Sequence, residues 1–236
     1  MRTIADDIIA FNAALEFTGS LPEGIGVMNP FRENQGALEA SAAFYKKYYS
    51  DNEPRTMILG INPGRFGAGL TGVPFTDPKR LREYCGITYE GRNPNAHEPS
   101  SDFVYRMIEQ YGGAVKFYAN LFITSICPLG FTTRGENGKE VNFNYYDSKA
   151  LTDSARAFMV ACLTKQLAFG IRKDVCFCFG TGKNEKFITE LNKEHGFFDK
   201  VIALEHPRYI MQYKSKQMQE YIAKYIHTFN EQCPIR

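Results

Sequence analysis

Four short apolar runs, at residues 56–61, 121–126, 174–179 and 200–204, are separated by longer stretches of mixed polarity. Continuous apolar runs of this length predict buried strands of a parallel sheet. The stretches between and after them predict helices at 101–111, 148–169, 184–194 and 215–229. Strand alternating with helix implies parallel pairing and right-handed crossovers, hence a three-layer α/β/α fold around a central four-stranded parallel sheet. Upstream, Ile4, Ile8, Phe11 and Leu15 recur at helical spacing, a Gly- and Pro-punctuated loop covers 19–36, and a second helix covers 37–49. The expected organisation is one domain over 1–236, with 1–50 a helical segment packed on it.

One insertion interrupts the alternation. Residues 130–146 hold Glu136-Asn137-Gly138-Lys139 between segments bearing Thr, Phe and Val, and Asn-Gly is the usual chemistry of a tight hairpin turn. A hairpin here follows the strand carrying Ser125 and overhangs the end of the sheet; a mobile surface loop is the alternative.

Two strand ends carry a polar side chain fit for chemistry. The run from Met57 to Ile61 leads into Asn62-Pro63-Gly64, and the run from Val201 to Leu204 leads into Glu205-His206-Pro207-Arg208. Ends of this form converge on one crevice in an open parallel sheet. Each residue also has a structural reading: Asn62 as a turn cap before Pro63-Gly64, His206 as a satisfied structural histidine.

The segment Gly60-Ile61-Asn62-Pro63-Gly64-Arg65-Phe66-Gly67, continued by Thr71-Gly72-Val73-Pro74-Phe75, resembles motif 1 of the uracil-DNA glycosylase superfamily. The resemblance is greatest to the single-strand-selective monofunctional branch, whose pattern reads G-M-N-P-G-P-F-G-M and then T-G-V-P-F. His206-Pro207 falls where that superfamily carries its second, His-containing motif. Phe179-Gly180-Thr181-Gly182-Lys183 resembles the strand-to-helix turn between the two, and the stretch from Phe122 to Leu129 resembles the central strand, which ends in Cys-Pro-Leu. The likeness implies a uracil-DNA glycosylase-like fold and an enzyme that hydrolyses the N-glycosidic bond of a damaged base in DNA, as in base excision repair. By the same resemblance Asn62 orients the attacking water, His206 donates a hydrogen bond to the base O2, and Phe75 stacks on the extruded ring. Backbone around Ile61 and Gly64 lines the pocket, glycine permitting close approach. Arg208, Tyr209, Ile210 and Met211 enter the duplex or press on its phosphates, as apolar and basic wedges do beside a flipped nucleotide. For Phe75, simple core packing is the alternative.

The chain departs from the branch in three places. Where vertebrate-type members read H-N-L-C-P-L and the Asn reads the uracil edge, this chain reads Thr124-Ser125-Ile126-Cys127-Pro128-Leu129. A hydroxyl is shorter than an amide and rotates, so Ser125 is expected to read the base less strictly. The His motif continues Arg208-Tyr209-Ile210-Met211-Gln212-Tyr213 in place of S-P-R-N-P, a wedge rebuilt with aromatic and aliphatic bulk. No aspartate follows Gly60, which implies a slower enzyme relying on oxyanion stabilisation. Together these departures imply a distinct bacterial subgroup.

Composition adds little and excludes some classes. A net charge of +2 does not identify a nucleic-acid binder, which needs local excess. From His206 to Gln219 the basic residues Arg208, Lys214 and Lys216 occur without an acid; alone this reads as a solvated face, and beside the His motif as phosphate contact. Six cysteines, at 85, 127, 162, 176, 178 and 233, form no C-x-x-C pair, which fits a reduced, cytoplasmic protein. Cys176 and Cys178 share a strand face, but no second pair has spacing for an iron-sulfur cluster, so no metal and no cofactor is expected. The first residues carry Asp6, Asp7 and Glu16 and lack the plan of a signal peptide, and no stretch reaches membrane-spanning length.

The sequence reading is therefore a monofunctional DNA glycosylase acting on uracil or a related base, its partner being the damaged DNA, with no obligate protein partner evident. No lysine is placed as an imine-forming nucleophile, so strand cleavage is not expected. Two rivals differ in class: a catalytically weakened binder of damaged or single-stranded nucleic acid, and a hydrolase of free nucleosides, which needs neither the basic run nor Tyr209 to Met211.

Overall fold

The structure is a computed structural model that describes residues 2–233. In chain order it runs α1 (Ile4–Ala13), β1 (Ile25–Met28), α2 (Pro30–Glu33), α3 (Gln35–Tyr48), β2 (Arg55–Gly60), α4 (Ala68–Thr71), α5 (Pro78–Cys85), α6 (Pro99–Tyr111) and α7 (Ala114–Asn120). It continues through β3 (Leu121–Ser125), β4 (Gly130–Arg134), β5 (Glu140–Phe143), α8 (Lys149–Leu167), β6 (Ile171–Phe179), α9 (Lys183–His195), β7 (Lys200–Leu204), α10 (Pro207–Tyr213) and α11 (Met218–Gln232).

The apolar runs become β2, β3, β6 and β7, a parallel sheet ordered β3-β2-β6-β7. Every residue of β2 and β3 is buried, as strands covered on both faces must be. Alternation along β6 divides the two covering layers. Phe177 and Phe179 point one way, their rings 4.8 Å from Phe229 and 5.2 Å from Tyr225 of α11. Cys178 points the other way, where its sulfur lies 3.3 Å from Asn184 Nδ2 of α9. Each buried ring contributes about 1.5–3 kcal/mol by leaving water, so these contacts hold α11 and α9 firmly against opposite faces. The result is a three-layer α/β/α fold around a four-stranded parallel sheet.

The N-terminal helix docks through its own unpaired amides. The Ile4 N–H donates to Asp51 O at 3.0 Å and the Ala5 N–H to Tyr49 O at 2.8 Å, on the loop that feeds β2. Thr3 and Asp6 complete a reciprocal cap at the same end, and Ile4, Ala5 and Ile8 enter the core.

A second, antiparallel sheet ordered β1-β4-β5 corrects the expectation of a plain loop at 19–36. Within that stretch β1 pairs with β4, Ile25 opposite Thr133 and Met28 opposite Gly130. It is four residues long and takes its form from a partner far along the chain, so its local pattern is weak. The predicted hairpin at 130–146 is present as β4 and β5, and its turn carries Gly138 at φ +72, a left-handed conformation suited to glycine. Among the described residues no helix is long and apolar enough to cross a membrane.

Strand order reverses direction between β2 and β6. The chain steps from β2 to one side at β3, then returns across it to β6 and β7. A crevice at the carboxyl ends of the strands forms at such a switch point. The segments leaving those ends are Ile61–Gly64, Gly180–Gly182 and Glu205–Pro207.

Candidate active site

Asn62 leaves β2 with its amide already engaged. Its Oδ1 accepts from the Tyr145 N–H at 3.1 Å, and its Nδ2 donates to Phe143 O at 3.2 Å. Both partners lie at the end of β5, so the hairpin fixes the orientation of the side chain. Two more contacts join the same elements: the Arg65 N–H donates to Asn142 Oδ1 at 3.0 Å, and Arg65 Nε lies 3.6 Å from Glu140 Oε2. A carbonyl oxygen has two lone pairs, and among the described residues one donor, the Tyr145 N–H, reaches Asn62 Oδ1. The other lone pair remains available at the crevice.

Phe75 adopts φ 52, a left-handed conformation that is a genuine outlier for a bulky residue. Such strain costs on the order of 1–3 kcal/mol and persists where the surroundings impose it. Here Thr71 imposes it: its hydroxyl donates to Thr76 O at 2.6 Å and accepts from the Val73 N–H at 3.1 Å, bracketing the turn. The Phe75 ring is thereby held half-buried, 5.6 Å from the rings of both Phe179 and His206. Gly60 makes this seat possible, since a Cβ there would lie 2.9 Å from the Phe75 ring.

His206 follows β7 and caps α10, with Pro207 in the first turn. Its Nδ1 accepts from the Arg208 N–H at 3.1 Å, which places the single proton of the neutral ring on Nε2. Burial, reinforced by the Arg208 charge, lowers its pKa to about 4, so the ring is neutral near pH 7. A neutral imidazole in this tautomer is a fixed hydrogen-bond donor. Gly180, at φ +119, takes a left-handed backbone conformation suited to glycine where the turn after β6 passes beside His206.

These residues converge on a cavity of about 540 Å³. Asn62, Phe75, Ser125 and His206 line it together with Ile61 and Gly64. Ser125 closes β3 in register with Gly60 and is 7% exposed. Glu98, immediately before α6, is the one acid among the described lining residues. Its carboxylate rests against the glycines of the motif: Cβ atoms at Gly64 and Gly67 would lie 2.6 and 2.1 Å from its oxygens. Burial raises its pKa, opposed by Ser100, the Arg208 charge and Ser101.

A model of the uracil DNA glycosylase superfamily matches residues 46–230. The chain belongs to that superfamily. It is similar to the single-strand selective monofunctional uracil DNA glycosylase of Bos taurus, 26% identical over 100 residues, which are 36% of this chain and 37% of that protein. The Rattus norvegicus protein of the same name is 26% identical over 102 residues, 37% of each chain. The matched stretch thus spans little more than a third of either relative. Similarity to a solved structure is broader: the crystal structure of Pedobacter heparinus SMUG2 is 55% identical, with a TM-score of 0.95 over 98% of both chains.

Within this member of the superfamily, the residues singled out in the sequence separate into two groups. Ile61, Asn62, Gly64, Phe75, Ser125 and His206 all reach the cavity, as do Arg208 and Tyr209 at its mouth. Four of the expected DNA-binding residues, two from the wedge and two from the basic run, do not. Ile210 is wholly buried and Met211 packs against the core, because 207–213 is a helix whose inner face carries them. Ile210 therefore cannot enter a duplex. Lys214 and Lys216 lie beyond α10 and outside the cavity lining. The exposed face of α10 instead presents Tyr209 and Tyr213, ring centroids 5.4 Å apart, of which only the first was singled out. Sequence reasoning also missed Glu98, Asn142 and Tyr146, all of which line the cavity. The Asn137-Gly138 turn was the available signal for the last two.

Among the described residues no group of three or more His, Cys, Asp or Glu is disposed to hold a metal ion. Cys176 and Cys178 are core thiols, and burial pushes Cys178 up to about 12.

Proposed function

We propose that this protein is a monofunctional DNA glycosylase that hydrolyses the N-glycosidic bond of uracil or a related deaminated or oxidised base in DNA and leaves an abasic site. The observation that carries this reading is the cavity that brings the free lone pair of Asn62 and the Nε2–H of His206 to one space, with the strained Phe75 ring beside the histidine. The extruded base lies on Phe75. As the bond from C1′ to the base breaks, its electron pair moves into the base and charge gathers on O2, where His206 Nε2–H donates to it. Asn62 Oδ1 accepts a hydrogen bond from a water and aims its oxygen at C1′. The water oxygen bonds to C1′, and its proton offsets the charge of the departing base. No lysine is among the described residues that line the cavity, which supports hydrolysis without strand cleavage.

The test is direct. The protein is incubated with single- and double-stranded oligonucleotides carrying uracil, 5-hydroxymethyluracil, hypoxanthine or xanthine, and abasic sites are then cleaved with alkali. Alkali-dependent cleavage at the modified base is expected. Intact strands with every base, under conditions where the protein binds them, would reduce it to a binder.

A further inference from the structure

Tyr145, just past the end of β5, is a buried phenol that the proposed chemistry does not use. Among the described residues from 133 to 150 it alone is buried, whereas β5 before it is a partly exposed edge strand. Its ring packs 4.9 Å from that of Phe187 in α9. Each of its polar groups is bonded to a different element. The N–H donates to Asn62 Oδ1 at the end of β2, and the carbonyl oxygen accepts from the Thr152 hydroxyl of α8 at 2.9 Å. The phenol donates to Asn184 Oδ1 of α9 at 2.8 Å.

Asn184 carries the connection further. It is 1% exposed, and its Nδ2 donates to Phe179 O at 3.1 Å, at the end of β6. Both ends of its amide are thus engaged by protein, although the residue lines the base cavity. From the same turn, the Gly180 N–H donates to Leu204 O at 2.8 Å, two residues before His206. Hydrogen bonds therefore run from Asn62 through Tyr145 and Asn184 to the end of β6, and on to the end of β7.

We infer that Tyr145, seated by Asn184, is a positioning residue for the attacking water. Asn62 Oδ1 can aim a water only if its own direction is fixed, and the Tyr145 N–H fixes it. The phenol in turn holds that N–H in place. Without the hydroxyl the ring still packs, but the bond to α9 is gone and the end of an edge strand carries the donor alone. Misplacing a reacting group by 1 Å costs up to about 10²-fold in rate. Tyr145 is not among the residues that line the cavity, so its effect falls on rate and not on affinity. Tyr49 supplies the comparison for a phenol that only stabilises: it is 1% exposed and donates to Leu121 O at 2.9 Å, at the opposite, amino end of the parallel sheet.

This inference rests on the glycosylase reading, and its test separates the two. Single-turnover excision of uracil, affinity for the unmodified strand and Tm are measured for the wild type, Tyr145→Phe, Asn184→Ala and Tyr49→Phe. Each variant is expected to lower Tm by about 2–10 °C, the effect of one buried hydrogen bond. Tyr145→Phe is expected to slow excision by about 5- to 100-fold with affinity unchanged, and Tyr49→Phe to leave excision unchanged. Asn184→Ala breaks the same bond from its other end and should reproduce the slowing, so the proposal stays open to refutation if Tyr145→Phe does not fold. Equal rates in Tyr145→Phe and Tyr49→Phe, or a loss confined to affinity, overturn it. Hydrogen exchange of the amide at position 145 supplies a readout independent of activity. That amide should be protected in the wild type and exchange faster in Tyr145→Phe or Asn184→Ala but not in Tyr49→Phe; unchanged protection overturns the seating by Asn184. A wild type that excises no base from any oligonucleotide refutes the glycosylase reading instead, and the exchange measurement still decides the seating.

Discussion

At the scale of single residues, Asn62 and His206 differ in how they are held, and the difference sets what each substitution does. Asn62 carries two hydrogen bonds to the end of β5 in addition to its proposed water. Asn62→Ala is therefore expected to lower single-turnover excision by about 10²- to 10⁴-fold, and also to reduce stability by about 1–3 kcal/mol through the backbone groups it leaves unpaired. Excision at the wild-type rate would make Asn62 a hairpin anchor alone. His206 donates through Nε2 without being charged, so replacement by Ala or Asn is expected to cost about 10²- to 10³-fold in the same assay. Its pH behaviour follows from a pKa lowered to about 4. The excision rate should show no inflection near the ordinary histidine value of about 6.5 and fall only as pH drops toward 4. Stability follows the same sign, because the unfolded chain binds the proton that the folded ring refuses. The His206 contribution is fully present above about pH 6.5 and is lost as pH falls from there through about 4. Tm measured from pH 4 to 7 should flatten in His206→Asn; an unchanged slope would mean the ring is not shielded.

At the scale of elements, α10 shows where the sequence was legible and where it was not. The buried strands and their polar ends were legible because the pattern is local: an apolar run, one polar side chain, a proline. The helix after His206 was legible in principle too, since a capping residue followed by Pro207 marks a helix start. Reading the stretch as a duplex wedge exposed Ile210, whereas a helix places Pro207 and Ile210 on one face, three residues apart, and buries both. The partnership of the hairpin with Asn62, and Glu98 lying over Gly64 and Gly67, were not legible, because each depends on segments that meet only in the folded chain. The two faces of α10 predict opposite phenotypes. Ile210→Ala should cost about 2–5 kcal/mol of stability, the range for truncating a buried aliphatic side chain, measured by denaturant unfolding. Tyr209→Ala and Tyr213→Ala should leave unfolding unchanged and weaken binding to single-stranded DNA, by about 1–3 kcal/mol for each ring that stacks on a base. Equal affinity in the tyrosine variants would remove α10 from the DNA surface.

At the scale of the whole molecule, charge limits how the protein can hold DNA. With 28 basic and 26 acidic side chains, the net charge of +2 supplies little general attraction to a polyanion. Attraction must come from cations left unpaired near the cavity mouth. Arg65, on the hairpin side, is engaged by Glu140, and Lys224, behind β7, by Glu205. Arg208, Lys214 and Lys216 follow His206 and form no ion pair among the described residues, Arg208 at the cavity mouth and Lys216 exposed on the turn after α10. If these three are the phosphate contacts, the logarithm of the binding constant should fall against the logarithm of salt with a slope of about −2 on single strands and nearly −3 on duplex. Neutralising Lys216 alone should reduce that slope by about 1 and weaken all sequences alike. The measurement is a salt titration of oligonucleotide affinity with the wild type and Lys216→Gln. A wild-type slope steeper than about −5 would mean a wider electrostatic footprint, reaching past α10 to cations on the far side of the cavity. An unchanged slope in the variant would move the contact off Lys216. A shallow slope with strong binding would instead place most of the affinity in the base pocket and the exposed tyrosines, as expected of an enzyme that finds its substrate by the extruded base more than by the backbone.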